Sequence, residues 1–578
     1  MLVRSTPTSS PTTRTPRAAR RACATLLRHA LAPAGCALAL AIPVVLQAQR
    51  VIGGADDAVT LPRGGFRFSL AGEHTQQRDR WRDGRIEGLG GSIAGDAFGP
   101  LQFSMLAPVE QIVRDLGVSD FDASLGVPTL DVRQRFFVTP LAVEYGLSDR
   151  ITLGARASLV RSKVEAQFRI RGDSGRATLG INPIVAGSAV AAGNATAIGA
   201  YASAAANLGA RLTACQGNVG AAPECPTILA EAASVTALVA RTSAFATGMT
   251  SLYGAGLVAG RRFIPLADSR ADTLLRARAD SMRSAFERYG ITDVTAFTGL
   301  PLFAQVPIAG EEIDRLVRDS VEGFGAKRID DGSIIELGDV HLTAKIRLFD
   351  SFRGTGATRF TSGLRGVRQS VLLDLRLGTG TPETADAPYD LGTGSGTGAL
   401  TVRSLTDVVV NDRFWTSVGV GYSIAAKHDA TLRVPSDPGA TLLEWWREAD
   451  VPVTPGGELD VSIAPRWHLS DYIAVGALWQ WRSKAADRHG IDSTVTTPLG
   501  ASVALQGRIL DVASKASEQR FGLTATYSTL AARARGRTGM PFEITFLHQQ
   551  SVASGTGIVP KQWEDRLQLR YYTRFLGR

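Results

Sequence analysis

The chain has 578 residues, of which 44% are apolar and 20% charged, with 61 glycines and a formal charge of +9. A mean hydropathy of +0.03, with no apolar run of about 18–20 residues after position 48, excludes a bundle of membrane-spanning helices and leaves several soluble domains or one barrel with large loops. The charge is not a nucleic-acid signal: Arg4, Arg14, Arg17, Arg20, Arg21 and Arg28 lie in the first 48 residues with no acid among them, and removing them reduces the charge to +3.

Residues 1–48 read as an export signal, with an arginine-rich start, an apolar stretch over 36–46 and a small residue, Ala48, before Gln49-Arg50. Arg20-Arg21 and Cys36 both lack the surroundings of a twin-arginine or lipoprotein signal. Cys23 and Cys36 leave with the signal. Cys215 and Cys225, ten apart, are then expected to form a disulfide in an oxidising compartment, since no histidine cluster accompanies them to suggest a metal site.

Beyond the signal, the dominant pattern is period-2 alternation in paired segments, the mark of strands with one apolar face. An opening strand surrounds Phe66 and Phe68, and a loop over 75–130 follows. Leu141, Val143, Tyr145 and Leu147 alternate with Ala142, Glu144 and Gly146. After a turn at 148–150, Ile151, Leu153, Ala155, Ala157 and Leu159 form one face of a strand about 20 residues long. Its continuation is read with Val164, Ala166, Phe168 and Ile170 outside and Glu165, Gln167, Arg169 and Arg171 inside.

The insertion 172–336 changes character, becoming alanine-rich with a period near 3.6. Leu275, Ala279, Met282, Phe286 and Tyr289 predict a helix started by Ser269 and Asp272 and stopped at Gly290. Ile313, Leu316, Val317 and Val321 predict a second helix ending at Gly323, and 227–247 is a third candidate. These helices are too polar to span a membrane and either cap the mouth of a barrel or plug its lumen.

Alternation resumes over 337–578. Strands are predicted around Val340–Leu348 positions 340–348, then 371–377, 400–410, 418–424, 459–469, 473–481, 521–527, 542–546 and 567–575. The turns at 148–150, 411–413 and 470–471 are short, whereas 75–130, 172–336, 379–397, 427–456 and 485–517 are long; 350–366 falls on the short-turn side by parity and is not short. The expected fold is an all-β, antiparallel transmembrane barrel of about 12 strands, or 14 if 75–130 hides a hairpin, divided into 49–171, the insertion 172–336 and 337–578. Tyr145, Trp415, Tyr422, Trp467, Tyr472, Trp479, Trp481, Tyr527, Tyr571 and Tyr572 sit near strand ends, as interfacial girdles require.

The segment Tyr145-Gly-Leu-Ser-Asp-Arg-Ile-Thr-Leu-Gly154 resembles the strand-turn-strand of bacterial outer-membrane porin-like transporters. Gly338-Asp-Val-His-Leu-Thr-Ala-Lys-Ile-Arg347, and the glycine run over 391–398, are similar to barrels of aromatic-degradation and fatty-acid-type transport. The resemblance covers about 130–171 and 338–578; it implies an outer-membrane β-barrel and transfers no functional residue.

No catalytic constellation emerges. Gly90-Gly-Ser92-Ile-Ala94 has the glycines of a nucleophile elbow without its strand-turn-helix setting. The run over 392–398 lacks the lysine of a phosphate loop and reads as a flexible loop or a strand entry. Asp120 with Asp122, and Asp330 with Asp331, read as solvated turns rather than calcium ligands. The inward face carries more: pore-lining candidates are Arg156, Arg169, Arg171, Lys345, Arg347, Arg376, Arg466, Arg482, Arg570 and Arg574, joined by Arg403, Arg520 and Arg566, with Glu144, Glu165, Asp374, Asp407, Asp460 and Glu543 as the acids. Rings of arginine would favour anions; pairing with the acids would instead seal the interior. The expected function is a channel or uptake pore for a small solute, with a surface-interaction barrel or an outer-membrane hydrolase as alternatives. Expected partners are outer-membrane lipid, the solute and the barrel-assembly machinery during biogenesis, with no nucleic acid and no cofactor.

Overall fold

The computed structural model describes residues 56–574, apart from 92, 94, 173–174, 184–187, 218–221, 254–261, 298–301, 321–322, 328, 352–364, 387–391, 412, 437–441, 498–499, 501, 513 and 535–536. The expected signal, Ser92 and Ala94, Val321, most of 350–366, Asp412 and Phe575 lie outside the described residues, as does the side chain of Arg574.

Twelve strands form the wall: β1 (Gly65–Arg82), β2 (Val127–Ser148), β3 (Ile151–Arg171), β4 (Val340–Asp350), β5 (Gly366–Leu377), β6 (Ala399–Val409), β7 (Phe414–Ala425), β8 (Glu458–His468), β9 (Ile473–Lys484), β10 (Ala516–Ser528), β11 (Phe542–Ser554) and β12 (Ile558–Arg574). Each pairs antiparallel with its chain neighbour. β1 pairs with both β2 and β12, so the sheet closes and leaves no wall edge open. The hairpin considered for 75–130 is present only as a four-residue strand, Arg85–Gly88, folded against the far end of β1. Gly332–Leu337 adds a second short flap beside the middle of β3, from Leu159 to Val164. Tight turns join β2 to β3 and β8 to β9 at the end where β1 begins and β12 finishes. The long connections lie at the opposite end, with one exception there: β11 and β12 are joined by residues 555–557 alone.

β3 pairs with β2 from Thr152 opposite Gly146 to Arg171 opposite Val127 with no bulge between. A strand alternates strictly, so without an extra residue no side chain can change face. The outward face of β3 therefore runs Leu153, Ala155, Ala157, Leu159 and then Arg161, Lys163, Glu165, Gln167, Arg169, Arg171. Its inward face becomes apolar over the same stretch, and Val164, Ala166 and Ile170 are buried. This reverses the sequence reading of 164–171, which changed face to keep apolar residues outside. β2 inverts at the same level: Leu141, Val143 and Leu147 are exposed outward near the turn, whereas Leu130, Val132 and Phe136 are buried inward further along.

The inward apolar halves of β2 and β3 have a reason to be apolar. They share one hydrophobic core with the long connections, in which Phe98, Phe103, Tyr201, Phe245, Phe286, Phe297 and Phe324 are fully buried. This cap contains α1 (Ala107–Asp115), α2 (Ser188–Gln216), α3 (Cys225–Ala230), α4 (Ala232–Tyr253), α5 (Arg270–Arg288) and α6 (Glu311–Arg318). Ser269 caps α5 by accepting from the Asp272 amide at 3.2 Å, and Gly290 beyond it has φ +73°. Ile313, Leu316 and Val317 form the buried face of α6, which ends at Arg318, ahead of Gly323. Cys215 at the end of α2 is bonded to Cys225 at the start of α3. Glu444, from the β7–β8 connection, accepts from the Ser104 amide at 3.0 Å and from Arg447 at 2.8 Å. Arg433 of the same connection donates to the carbonyls of Phe324 and Gly325. Three connections thus fold as one body. No described helix is long and apolar enough to cross a membrane.

The inversion is testable at adjacent residues. Phe136 is 6% exposed and Phe137 44%. Phe136→Ala is expected to cost about 3–5 kcal/mol of unfolding free energy, and Phe137→Ala distinctly less. Urea titration of both variants checks this; equal losses would contradict the register.

Candidate functional site

The inward face between the cap and the turns is polar, and its side chains converge on a cavity of about 170 Å³. At roughly 10–15 Å³ per water, that is space for on the order of ten waters or one small solute. β4 to β12 all contribute to its lining, with Leu372, Leu478 and Leu547 between charged groups.

Charges on the inward face, in the lining and around it, are paired. Arg566 bonds Glu73 at 2.9 Å and Glu564 at 2.7 Å. Arg67 donates to Glu144 at 2.6 Å, and Arg482 to Glu458 at 2.7 Å. Arg403 sits between Asp460 and Asp56, the latter at 3.5 Å, and Arg520 bonds Glu518. Arg347 and Arg368 share Asp350, each at 3.1 Å. His341 and Asp374 meet at 2.8 Å, with Arg156 at 3.9 Å from the same carboxylate. Pairing of this kind offsets the cost of removing each ion from water, and it removes the unpaired arginine rings on which anion preference rests.

Seven sequence candidates face inward: Arg156, Lys345, Arg347, Arg376, Arg466, Arg482 and Arg570. Arg169 and Arg171 are corrected: the unbroken register of β3 puts them outside, with Glu165. Two girdle candidates are corrected as well. Trp415 is buried on the inward face of β7 beneath Arg466, whose guanidinium lies 5.1 Å from the ring. Tyr572 is on the inward face of β12, with its hydroxyl donating to Glu543. Of the acids read as solvated turns, Asp120 pairs with Arg270 at 2.7 Å and Asp122 with Arg114 at 2.9 Å.

Two features have no counterpart in the sequence reading. The first is the segment 56–64 ahead of β1, which lies inside the wall. Lys345 donates to the Asp57 carbonyl at 2.9 Å, Ser370 to the Ala58 carbonyl at 2.6 Å, and the Ala58 amide to Asp407 at 3.1 Å. Ala58 packs with Leu372 and Leu405. The Leu61 amide donates to Thr152 at 2.8 Å, and Asp56 lines the cavity. The chain thus lies across the turn-side half of the lumen beneath the cavity. A pair of aspartates before a strand carries no sequence signal for that position.

The second is Asp339, 4% exposed. It accepts from the Gly380 amide at 2.8 Å and from the amide and hydroxyl of Ser395 at 2.9 Å each. A Cβ on Gly394 would lie 2.6 Å from its carboxylate and 2.7 Å from the Gly380 Cα. The glycines let two backbones close around one carboxylate, so the described part of this run is anchored rather than flexible.

No family model and no curated protein matches the chain. Among solved structures, it is similar to an outer membrane channel from Pseudomonas putida F1, at 9% identity over 90% of this chain and 99% of that one, with a TM-score of 0.39. The toluene transporter TodX of Pseudomonas putida matches at 9% identity over 88% and 90%, TM-score 0.27. The translocator domain of the autotransporter NalP from Neisseria meningitidis matches at 7% identity over 88% of each chain, TM-score 0.27. Scores this low do not define a fold; the closed barrel here stands on its own strand pairing.

The pairing in the lumen sets a stability test. Arg566→Met would strand two buried carboxylates and is expected to cost about 3–5 kcal/mol, with part of the loss regained on adding Glu73→Gln and Glu564→Gln. An unchanged urea midpoint for Arg566→Met would contradict the pairing.

Proposed function

We propose that the chain is an outer-membrane β-barrel serving as an uptake channel for a small solute, shut at rest by its own segment 56–64. The observation that carries this reading is the opposite polarity of the two faces of one closed wall. The outward face near the turns exposes leucines, among them Leu141 at 59% and Leu567 at 57%, and the inward face opposite is charged and holds a cavity. In water such a belt would be an aggregation hazard; in a bilayer it is the required surface. On β2 the outward belt runs from Phe137 to Leu147, about eleven residues, which at the ~40° tilt of such strands rises roughly 27 Å.

The cap lies on the extracellular side in this reading, and the tight turns on the periplasmic side, where long soluble segments are not needed. The lining mixes Leu372, Leu478 and Leu547 with paired charges, which suits a solute with both polar and apolar parts. Near-balanced pairs also give little ion selectivity. The hydrocarbon named for TodX belongs to that protein; the polar lumen here is a different environment.

The gate is tested by tethering it. An Ala58→Cys, Ser370→Cys variant joins the segment to β5 where the two already touch. Oxidised, it is expected to show conductance in planar bilayers near background, regained on adding reductant, with wild-type protein in reductant as the control. Full conductance in the oxidised form would contradict passage beneath the cavity.

A further inference from the structure

Immediately past the apolar belt, the outward faces of β2 and β3 carry four cations. The pairing sets Arg135 opposite Lys163, Phe137 opposite Arg161 and Arg133 opposite Glu165, so Arg133, Arg135, Arg161 and Lys163 occupy neighbouring rows of one surface. The carboxylate within these rows is Glu165. It takes a hydrogen bond from Lys163 at 2.8 Å and faces Arg135 at 3.2 Å and Arg133 at 3.7 Å. The Lys163 hydrogen bond, followed by the charges of Arg135, Lys163 and Arg133, holds the Glu165 carboxyl below its ordinary range. One carboxylate among four cations leaves a net charge of +3, and the side chains of Arg133, Arg135 and Lys163 remain about a third exposed.

Directly beneath and beside this patch, the same wall exposes Leu141 at 59%, Leu159 at 49%, Ile335 at 57% and Leu337 at 64%. The register places Leu337 against Leu159 and Ile335 against Arg161. A free anion would use the cations and gain nothing from the apolar side chains. An amphiphile uses both, with phosphate on the planar, bidentate guanidinium groups and acyl chains along the leucines.

We infer that the outer wall of β2 and β3 is a docking site for a phosphorylated, multiply acylated glycolipid of the outer leaflet, its phosphate held by Arg133, Arg135, Arg161 and Lys163. This rests on the membrane reading above, though not on the channel. Neither the lumen nor the cap takes part.

The test uses the full chain in detergent and native mass spectrometry with added lipid A, monophosphoryl lipid A or phosphatidylcholine. Wild-type protein is expected to retain lipid A over both others. Arg133→Gln, Arg135→Gln, Arg161→Gln and Lys163→Gln together should weaken that binding at least about tenfold. The same charge removed from the cap, through Arg270→Gln, Arg283→Gln, Arg288→Gln and Arg315→Gln, should not. Heat-modifiable migration reports folding; if the wall variant fails to fold, Arg161→Gln with Lys163→Gln gives the same contrast. Equal retention of lipid A by wild type and wall variant overturns the inference, as does displacement of lipid A by inorganic phosphate at equal concentration. Insertion into phosphatidylcholine vesicles is scored separately. Insertion without lipid discrimination removes this inference alone; failure to insert removes the membrane reading with it.

Discussion

A β-strand cannot turn a side chain from one face to the other without an extra residue, and the rest of this structure depends on that constraint. β3 keeps one register against β2 from Thr152 to Arg171. Its two halves therefore meet two different environments on each face. Near the turn, leucines face out and Arg156 faces in; further along, arginines face out and Val164, Ala166 and Ile170 face in. The level at which both strands invert marks where a polar lumen gives way to a protein core inside and, in the membrane reading proposed above, where hydrocarbon gives way to water outside. A single slip of one residue would put Arg161 and Lys163 in the cap core and Val164 in water, which is why the register is so strongly specified.

The lumen follows from the same alternation. The many charged residues facing inward from the wall strands cannot all be solvated in a cavity that holds on the order of ten waters, so they are stable only as pairs. The pairs cross from strand to strand, as in Arg566 with Glu73 and Arg403 with Asp460, and they bind the segment 56–64 through Asp56 and Asp57. In the proposed channel, the same network that makes the interior polar enough for a solute also makes it closed enough to need a moving part.

Much of the wall was legible in the sequence because period-2 alternation and short turns are local signals. All twelve strands, the helix started by Ser269 and the pairing of Cys215 with Cys225 in the structure could be anticipated from nearby residues. The longest helix, α2, could not: its alanines and glycines present no apolar stripe to distinguish one face. Arg169 and Arg171 read as inward on the premise that the apolar face of a strand stays outside, a premise that fails once the strand extends past its outward apolar belt and its inner side packs a protein core. Trp415 and Tyr572 misled in the opposite way, since an aromatic near a strand end belongs to a girdle only if parity turns it outward. The roles of Asp339 and of residues 56–64 depend on contacts between segments tens to hundreds of positions apart, which alternation along one strand does not encode.

The most direct measurement is a lipid-quenching scan along β3. A fluorophore placed in turn at Leu153, Ala157, Lys163 and Gln167 on one face and at Val164 and Phe168 on the other, with the protein in vesicles of brominated lipid, reads hydrocarbon contact position by position. The account expects strong quenching at Leu153 and Ala157 and none at Lys163 or Gln167, with Val164 and Phe168 also shielded by the cap. Quenching at Val164 and Phe168, or at none of the six positions, would contradict it.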